Sequence, residues 1–349
     1  MAEARPGRDS DHADTHKCGR RIIVAAVLLL LAIACRPEPL ETEFRDYRQD
    51  MRDFVQAISD HAKDAAPAFL VIPQNGHELL TVDGDPGGDV STDYLAAIDG
   101  IGREDLYYGY NTDNIATNEM DTDEILPFLD LAVAQGVEVL VTDYCWGTTN
   151  VDDSYSANAA AGYISFAADS RDLNTIPGYP ASVPNANAQT ISSLADARNF
   201  LYLLDPSEYL TKDAYLAAIG ATNYDVVIVD LFYEDTNGTV SALTEEDIDS
   251  IDSKPGGGKR LIICYMSIGE AEDYRYYWDP GWEHDTPAWL GDENPHWAGN
   301  HKVRYWNVDW QAVVFGAPEA YLDRILAAGF DGVYLDIIDA YEFFEDSSE

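Results

Sequence analysis

Residues 329–337 read GFDGVYLDI, a short apolar run that begins after glycine and closes on an acid. Val333, Tyr334 and Leu335 are typical of a buried β-strand, and a helical pattern, Pro318–Ala328, comes directly before them. The same unit recurs along the chain, which indicates a parallel sheet covered by helices. The predicted strands are Phe69–Ile72, Leu106–Tyr110, Val137–Thr142, Tyr163–Ala167, Phe200–Leu204, Val226–Leu231, Leu261–Met266, Val303–Val308 and Gly332–Ile337, and the other predicted helices are Tyr47–Ala62, Thr122–Ala134, Lys212–Ala218 and Thr244–Ile251.

Eight or nine such strands, without a dinucleotide-binding glycine pattern, favour a closed (β/α)8 TIM barrel over an open doubly wound sheet. A long aromatic-rich loop, Tyr274–Asn300, follows the strand at 261–266. Residues 178–197 are rich in Pro, Ala, Asn and Ser, lack apolar periodicity and are predicted to be an internal linker. We therefore expect residues 36–349 to form a single barrel domain.

The charge balance excludes some partners. The chain has 349 residues, 46% of them hydrophobic, which is enough for a sizeable core. Its 21 basic and 63 acidic side chains give a net charge of −42, which would repel nucleic acid and anionic lipid. The acidic side chains either keep the surface hydrated or attract a cationic partner, and the sequence leaves both interpretations open.

The first 35 residues have the pattern of a secretory signal. Lys17, Arg20 and Arg21 precede the apolar run Ile22–Ala34, and Cys35 follows small residues, as in a bacterial lipobox. The alternatives are an uncleaved anchor and a buried helix. We expect a protein that is secreted and anchored to the cell envelope through a lipid on Cys35, with no other membrane contact.

Acids recur where predicted strands end. Asp230, Asp336 and Asp143 each close or follow an apolar run, and Glu270 and Glu272 follow the strand at 261–266. In a (β/α)8 barrel these positions surround the mouth that carries active sites. The alternative is that some of these acids cap the following helices.

Several carboxylates around one mouth suit glycoside hydrolysis, which needs two of them. Crowded carboxylates raise one another's pKa, so that one keeps its proton near neutral pH. The chain has no G-x-S-x-G, H-E-x-x-H or phosphate-binding motif, and its cysteines lack metal-ligand spacing; we predict no metal and no cofactor. Six tryptophans would either stack on sugar rings or pack the loop onto the barrel: Trp278, Trp282, Trp289, Trp297, Trp306 and Trp310.

Three segments carry a family resemblance. Residues 265–275 (YMSIGEAEDYR), 302–306 (KVRYW) and 329–336 (GFDGVYLD) resemble the TIM-barrel glycoside hydrolases typified by endo-α-1,4-polygalactosaminidase, and more closely an uncharacterised bacterial and archaeal branch of that clan. The family motif G-S-Y-E-D-W-R places its Glu on Glu272 and its Arg on Arg275. Glu270 stands where the family has a non-acidic residue.

The resemblance implies a hydrolase that cleaves a polysaccharide, such as an α-1,4-linked galactosaminoglycan. Asp230 and Glu272 would be the acid/base and nucleophile pair with unassigned roles. Asp336 would bind the sugar or tune their pKa, and Glu270 is a substitute for Glu272. Two other functions stay open: a non-catalytic glycan-binding surface lipoprotein, and a structural factor. The predicted substrate-binding residues are Arg275, Tyr107, Tyr108, Trp306, Asn75 and Asp143.

The order of the units predicts a circular permutation relative to that family. The last strand, Gly332–Ile337, is followed by only a short acidic segment, whereas helix Tyr47–Ala62 has no strand before it. The strand at Phe200–Leu204 would then be the family's first and Phe69–Ile72 its sixth, with the linker at the family's original termini. The alternative is a barrel in ordinary order with an extra N-terminal helix.

Overall fold

The computed structural model describes residues 45–346, so the predicted signal and Cys35 lie outside the described residues. Within this range, no helix is long and apolar enough to cross a membrane. The strands are β1 Leu70–Pro73, β2 Gly100–Glu104, β3 Glu138–Tyr144, β4 Ile164–Ala168, β5 Phe200–Tyr202, β6 Val226–Val229, β7 Phe232–Glu234, β8 Val240–Ala242, β9 Leu261–Ser267, β10 Glu270–Glu272, β11 Leu290–Glu293, β12 Asn300–Val303 and β13 Gly332–Asp336. The helices are α1 Tyr47–Ala65, α2 Thr92–Ala97, α3 Glu119–Ala134, α4 Thr148–Ala161, α5 Lys212–Gly220, α6 Glu245–Ile251, α7 Val308–Val314, α8 Tyr321–Ala327 and α9 Ala340–Asp346.

The centre of the fold is built from parallel strands. Five of them pair in the order β1-β13-β9-β6-β5, and three more pair in the order β2-β3-β4. Gln74, just after β1, forms a parallel bridge with Gly102 of β2, so the two sheets continue into each other. At the far edges, the rings of Phe166 on β4 and Phe200 on β5 lie 5.7 Å apart. This α/β arrangement is compatible with a TIM barrel.

Strand β2 corrects one prediction. The strand was expected at Leu106–Tyr110, but it lies at Gly100–Glu104, and the expected residues lie in the loop that follows. Glycine has low strand propensity, yet a β-carbon at Gly102 would stand 1.9 Å from the Tyr334 hydroxyl oxygen. Space inside the sheet therefore requires glycine here, which hides the strand from a pattern search.

Helix α1 begins and packs as its sequence indicates. The side chain of Asp46 caps it by accepting a hydrogen bond from the Gln49 amide at 2.9 Å. Its apolar side chains are buried, and the guanidinium of Arg52 is buried with them, donating to the carbonyls of Leu79 and Thr81. Arg48 pairs with Glu345 of α9 at 3.0 Å, so the two ends of the described chain lie close together.

The long excursion after β9 folds into a small antiparallel sheet, β10-β12-β11. The strand predicted at Val303–Val308 is wrong: β12 ends at Val303, and a helix, α7, begins at Val308. Most tryptophans of this region pack against other rings, for example Trp289 on Trp310 at 5.0 Å. Most of these tryptophans therefore pack the loop onto the rest of the fold and do not face a ligand, whereas Trp297 is 61% exposed.

The predicted linker, residues 178–197, contains no strand and only one short 3₁₀ turn. It is tied to the start of β6 through the buried carboxylate of Asp225. That carboxylate accepts from Lys254 Nζ at 2.6 Å, from Asn187 Nδ2 at 2.8 Å and from the Arg198 amide at 2.9 Å. Hydrogen bonds from Asn187 and from the Arg198 amide, at the end of the linker, thus hold the linker against the buried Asp225–Lys254 ion pair beside the sheet.

Candidate active site

A cavity of about 600 Å³ opens where the parallel strands end. Glu104, Tyr144 and Asp336 are the last residues of β2, β3 and β13, and all three line it. Since the carboxyl ends of parallel strands share one edge, distant segments meet there. Its wall carries eight acids and two arginines: Glu104, Asp172, Asp205, Asp230, Glu234, Glu272, Asp336, Asp339, Arg171 and Arg275.

Arg275 joins two of the predicted carboxylates. Its Nη1 lies 2.9 Å from Asp230 Oδ1, and its Nε lies 2.7 Å from Glu272 Oε2. Its Nη2 lies 2.8 Å from Asp230 Oδ2 and 3.2 Å from Glu272 Oε1, so those two oxygens are at most 6.0 Å apart. Burial lowers the pKa of Arg275, but Asp230 and Glu272 outweigh it, and the pKa lies well above its usual value.

A second pair of carboxyl groups shares an amide. Gln74 Nε2 donates to Glu104 Oε2 at 2.9 Å and to Asp336 Oδ1 at 3.0 Å. The Tyr265 hydroxyl donates to Asp336 at 2.6 Å, and the Tyr144 hydroxyl donates to Glu104. Desolvation raises the pKa of Asp336 to about 6. Desolvation and the nearby Asp336 raise the pKa of Glu104.

Backbone strain lies in the cavity wall. Asn75 has φ +62° and Ile337 has φ +58°, and both line the cavity. A β-branched residue such as Ile337 adopts this region only when its surroundings enforce it. Such strain is concentrated at functional sites, which supports this cavity as one.

Aromatic side chains form part of the rim. Tyr274 and Trp297 are mostly exposed and line the cavity. The Tyr274 hydroxyl donates to Glu272 Oε1 at 2.6 Å, so one ring joins the rim to the carboxylate pair. Exposed aromatic faces beside carboxylates suit the apolar faces of sugar rings.

The predicted residues divide into two groups. Asp230, Glu272, Asp336, Arg275 and Asn75 line the cavity. The others do not line it: Glu270, Asp143, Tyr107, Tyr108 and Trp306.

Glu270 points into the small sheet. Its carboxylate is fully buried and accepts from Lys302 Nζ at 2.6 Å, Asn294 Nδ2 at 2.8 Å and Asn300 Nδ2 at 3.2 Å. It therefore holds β10, β12 and the loop between β11 and β12 together, and the structure does not place it as a substitute for Glu272.

Asp143 and its neighbours lie on the helix side of β3. Side chains alternate along a strand, so Tyr144 faces the cavity while Asp143 faces α4. Asp143 accepts from the amides of Tyr107 and Tyr108 at 2.8 and 3.1 Å and from the Ser154 hydroxyl at 2.6 Å. Asp143, Tyr107 and Tyr108 therefore fix the loop after β2 from outside the cavity.

Trp306 packs between the two terminal helices. Its ring lies 5.1 Å from that of Tyr47 on α1 and 4.7 Å from that of Phe344 on α9. It is a packing residue of the helical layer and not part of the cavity wall.

Sequence reasoning missed Glu104, Tyr144 and Tyr202. Glu104 is the last residue of β2, and a search for apolar strand patterns misses β2 because it contains two glycines. The available signal for Glu104 was an acid that lies two residues after Gly102. Tyr202 donates to Gln74 Oε1 at 3.2 Å from inside the sheet, a contact between strands that no local pattern indicates. Within residues 45–346, no group of three His, Cys, Asp or Glu side chains is arranged to hold a metal ion.

Comparison with known proteins identifies the segment that carries most of this cavity's catalytic candidates. Residues 180–349 match glycoside-hydrolase family GH114. This is the family of endo-α-1,4-polygalactosaminidase. The GH114 segment contains Asp230, Glu272, Arg275 and Asp336, and the match supports a glycoside hydrolase. Gln74, Asn75 and Glu104 lie outside the GH114 segment, and the structure brings them to the same cavity.

Similar proteins occur in distant organisms. An uncharacterised protein of Methanocaldococcus jannaschii is 38% identical over 162 residues, 46% of this chain and 43% of that protein. Uncharacterised proteins of Deinococcus radiodurans and Thermotoga maritima are 42% and 35% identical over 127 and 136 residues. These alignments cover 36% and 39% of this chain and 37% and 39% of the two proteins. The chain thus spans less than half the length of each relative.

Proposed function

We propose that this chain is a glycoside hydrolase that cleaves an α-1,4-linked galactosaminoglycan internally, with Asp230 and Glu272 as its catalytic pair. The observation that carries the proposal is their shared contact with Arg275 in a cavity at the strand ends. The GH114 match over the same residues supports it.

The spacing of the pair favours retention of anomeric configuration. Retaining enzymes hold their carboxyl groups about 5–5.5 Å apart, and inverting enzymes about 6.5–9.5 Å. Two oxygens of Asp230 and Glu272 lie within 6.0 Å. One carboxylate would then attack the anomeric carbon, while the other protonates the leaving oxygen and later activates water.

The charge of the wall favours a cationic substrate. Eight acids face two arginines around the cavity, and the chain carries −42 overall. A partly deacetylated amino-sugar polymer carries ammonium groups that this field would attract. A neutral glycan is not attracted by this field. The preference for a cationic over a neutral polymer therefore tests this part of the proposal.

The experiment measures reducing ends released from partly deacetylated galactosaminoglycan. We expect Asp230→Asn and Glu272→Gln each to lower kcat about a thousandfold. Circular dichroism should show that both variants fold, with a lower melting temperature for Glu272→Gln because the buried Glu272 carboxylate pairs with Arg275. Asp292→Asn, an exposed acid on β11, is the matched control and keeps wild-type activity. Proton NMR of the first product should show the anomer of the substrate. Full activity in Asp230→Asn would refute the assignment.

A second function is favoured by one observation. Arg275 forms ion pairs with both candidate catalytic carboxylates. This arrangement also suits a protein that binds glycan without cleaving it. In that case wild type and Asp230→Asn would both bind the polymer, and neither would release reducing ends.

We further propose that the eight parallel strands close into a circularly permuted (β/α)8 barrel. The GH114 match begins at residue 180, inside the linker, which is where a permutation would place the family's N-terminus. Strand β1 pairs with β13, but the first and last strands of any closed barrel are neighbours, so this contact alone does not distinguish the two orders. The lipid anchor at Cys35 stays a prediction of the sequence.

A further inference from the structure

A second exposed tryptophan stands near the cavity, on a part of the chain that the family match does not include. Trp146 is 51% exposed and lies two residues after Tyr144, whose side chain lines the cavity. Two residues of extended chain span at most about 7 Å. The backbone of Trp146 therefore lies within about 7 Å of the backbone of Tyr144, although Trp146 itself does not line the cavity.

The backbone that carries Trp146 is rigid. Asn114, held at φ +60°, accepts from the amides of Trp146 and Gly147 at 3.0 and 2.8 Å and donates its own amide to the Tyr144 carbonyl at 2.8 Å. Asn150 Nδ2 donates to the Asn114 carbonyl at 2.8 Å. The backbone that presents the exposed indole is therefore ordered by these hydrogen bonds before any ligand arrives, which lowers the entropy cost of binding.

The loop beside Trp146 is joined to the cavity. Arg171, which lines the cavity, donates to Asp113 at 2.8 Å and to the Gly109 carbonyl at 2.9 Å. The same loop exposes the side chains of Tyr110 and Ile115. An exposed apolar surface of this kind beside a polar site is typical of a ligand-binding surface.

Trp146 and Trp297 lie on different sides of the cavity. Trp146 follows β3 and Trp297 lies in the excursion after β9, and these strands are four positions apart in the order β3-β2-β1-β13-β9. A chain that contacts both indoles would therefore span the mouth of the cavity, with Asp230 and Glu272 at the β6 and β9 end of that path.

We propose that Trp146 is a sugar-stacking platform, so that a polysaccharide extends from Trp297 across the cavity to the loop that carries Tyr110. This inference rests on the proposed function and deepens it, because such a site selects long chains. We expect loss of this contact to weaken polymer binding about twofold to tenfold, which corresponds to about 0.4–1.4 kcal/mol.

The test compares a long polymer with a trisaccharide of the same amino sugar. We expect Trp146→Ala to lower the ratio of kcat/KM for polymer to kcat/KM for trisaccharide about fivefold, and Trp146→Phe to restore most of it. Val133→Ala is the control, because Val133 is an exposed apolar residue in the last turn of α3, at the opposite end of the strands. An unchanged ratio in Trp146→Ala would overturn the inference.

A binding experiment separates this inference from the proposed function. Asp230→Asn and the double variant Asp230→Asn/Trp146→Ala are compared by affinity electrophoresis in gels that contain the polymer. Weaker retardation of the double variant supports the platform even if wild type cleaves nothing. Equal retardation, or none in either variant, would overturn it.

Discussion

At the scale of single residues, the cavity contains two kinds of carboxyl group. Asp230 and Glu272 share the positive charge of Arg275, whereas Glu104 and Asp336 share only the neutral amide of Gln74 and tyrosine hydroxyls. Desolvation favours the protonated acid, and at Glu104 desolvation outweighs the nearby charges of Arg171 and Arg103. The pKa of both carboxyl groups of the second pair is therefore raised above its usual value.

Replacing Asp336 with Asn should change how stability depends on pH. Desolvation raises the pKa of Asp336 to about 6, against about 3.9 for an unfolded Asp. Between about pH 4 and 6 the folded state binds more protons than the unfolded state, so this carboxyl makes the free energy of unfolding fall as pH rises. In Asp336→Asn the free energy of unfolding should fall less steeply as pH rises. The variant should therefore gain stability relative to wild type above pH 6 and gain little at pH 4.

Urea unfolding at pH 4, 5, 6 and 7 measures this difference. Asp292→Asn is the control, because its carboxylate is exposed, and its curve should follow that of wild type. If wild type and Asp336→Asn differ by the same amount at every pH, the folded-state pKa of Asp336 is not raised.

At the scale of elements, buried polar contacts decide where irregular segments lie. The linker at 178–197 has no apolar periodicity, yet Asn187 reaches the buried Asp225–Lys254 pair. Likewise, Glu270 and Lys302 tie β10 to β12. The Asp225–Lys254 pair thus fixes the linker beside the start of β6, whereas the Glu270–Lys302 pair joins two neighbouring strands of the small sheet.

Lys254→Met should destabilise the protein strongly. Both side chains of the Lys254–Asp225 pair are fully buried, and removing one partner leaves an uncompensated charge, which costs about 3–5 kcal/mol. Urea unfolding checks the loss. Lys259→Met is the matched control, because Lys259 is 63% exposed in its pair with Asp252, and it should cost much less. Equal losses in the two variants would contradict a structural role for the buried pair.

At the scale of the whole molecule, the two ends of the described chain meet. Arg48 on α1 pairs with Glu345 on α9, and the Tyr305 hydroxyl donates to the Tyr47 carbonyl at 2.8 Å. Helices α1 and α9 are therefore neighbours, an arrangement that fits both the permuted and the ordinary order of units.

A chain with rearranged termini should fold. In this variant a short glycine-rich segment joins residue 346 to residue 45, and the new termini lie between Ala181 and Ser182. Asn187 and its contacts with Asp225 are kept. Both cut residues are exposed. We expect the circular dichroism spectrum of the wild-type fold and cooperative thermal unfolding. The control places the termini between Thr236 and Asn237, in the exposed β7–β8 turn. If the control folds and the variant with termini in the linker does not, the linker is not a natural break in the chain.

The sequence by itself determined which residues lie at the ends of the apolar strands. Asp230 and Asp336 follow runs of Val, Ile, Leu and Tyr, and in parallel strands such residues must reach one edge of the sheet. Helices α1, α3, α5, α6 and α8 were predicted for a similar reason, because an apolar stripe such as that of α1 is a local property of the chain. Helix α4 was missed, because its sequence is rich in Thr, Asn, Asp, Ser and Ala and has few large apolar residues.

Only the tertiary structure decided which of those acids share a cavity. Glu270 and Glu272 lie two residues apart, but Lys302 and two asparagines turn the first into the small sheet while Arg275 holds the second beside Asp230. Glu104 ends strand β2, in which the Tyr334 hydroxyl leaves room only for glycine at position 102. These outcomes depend on contacts between segments far apart in the chain, which packing and burial of charge select and no local pattern encodes.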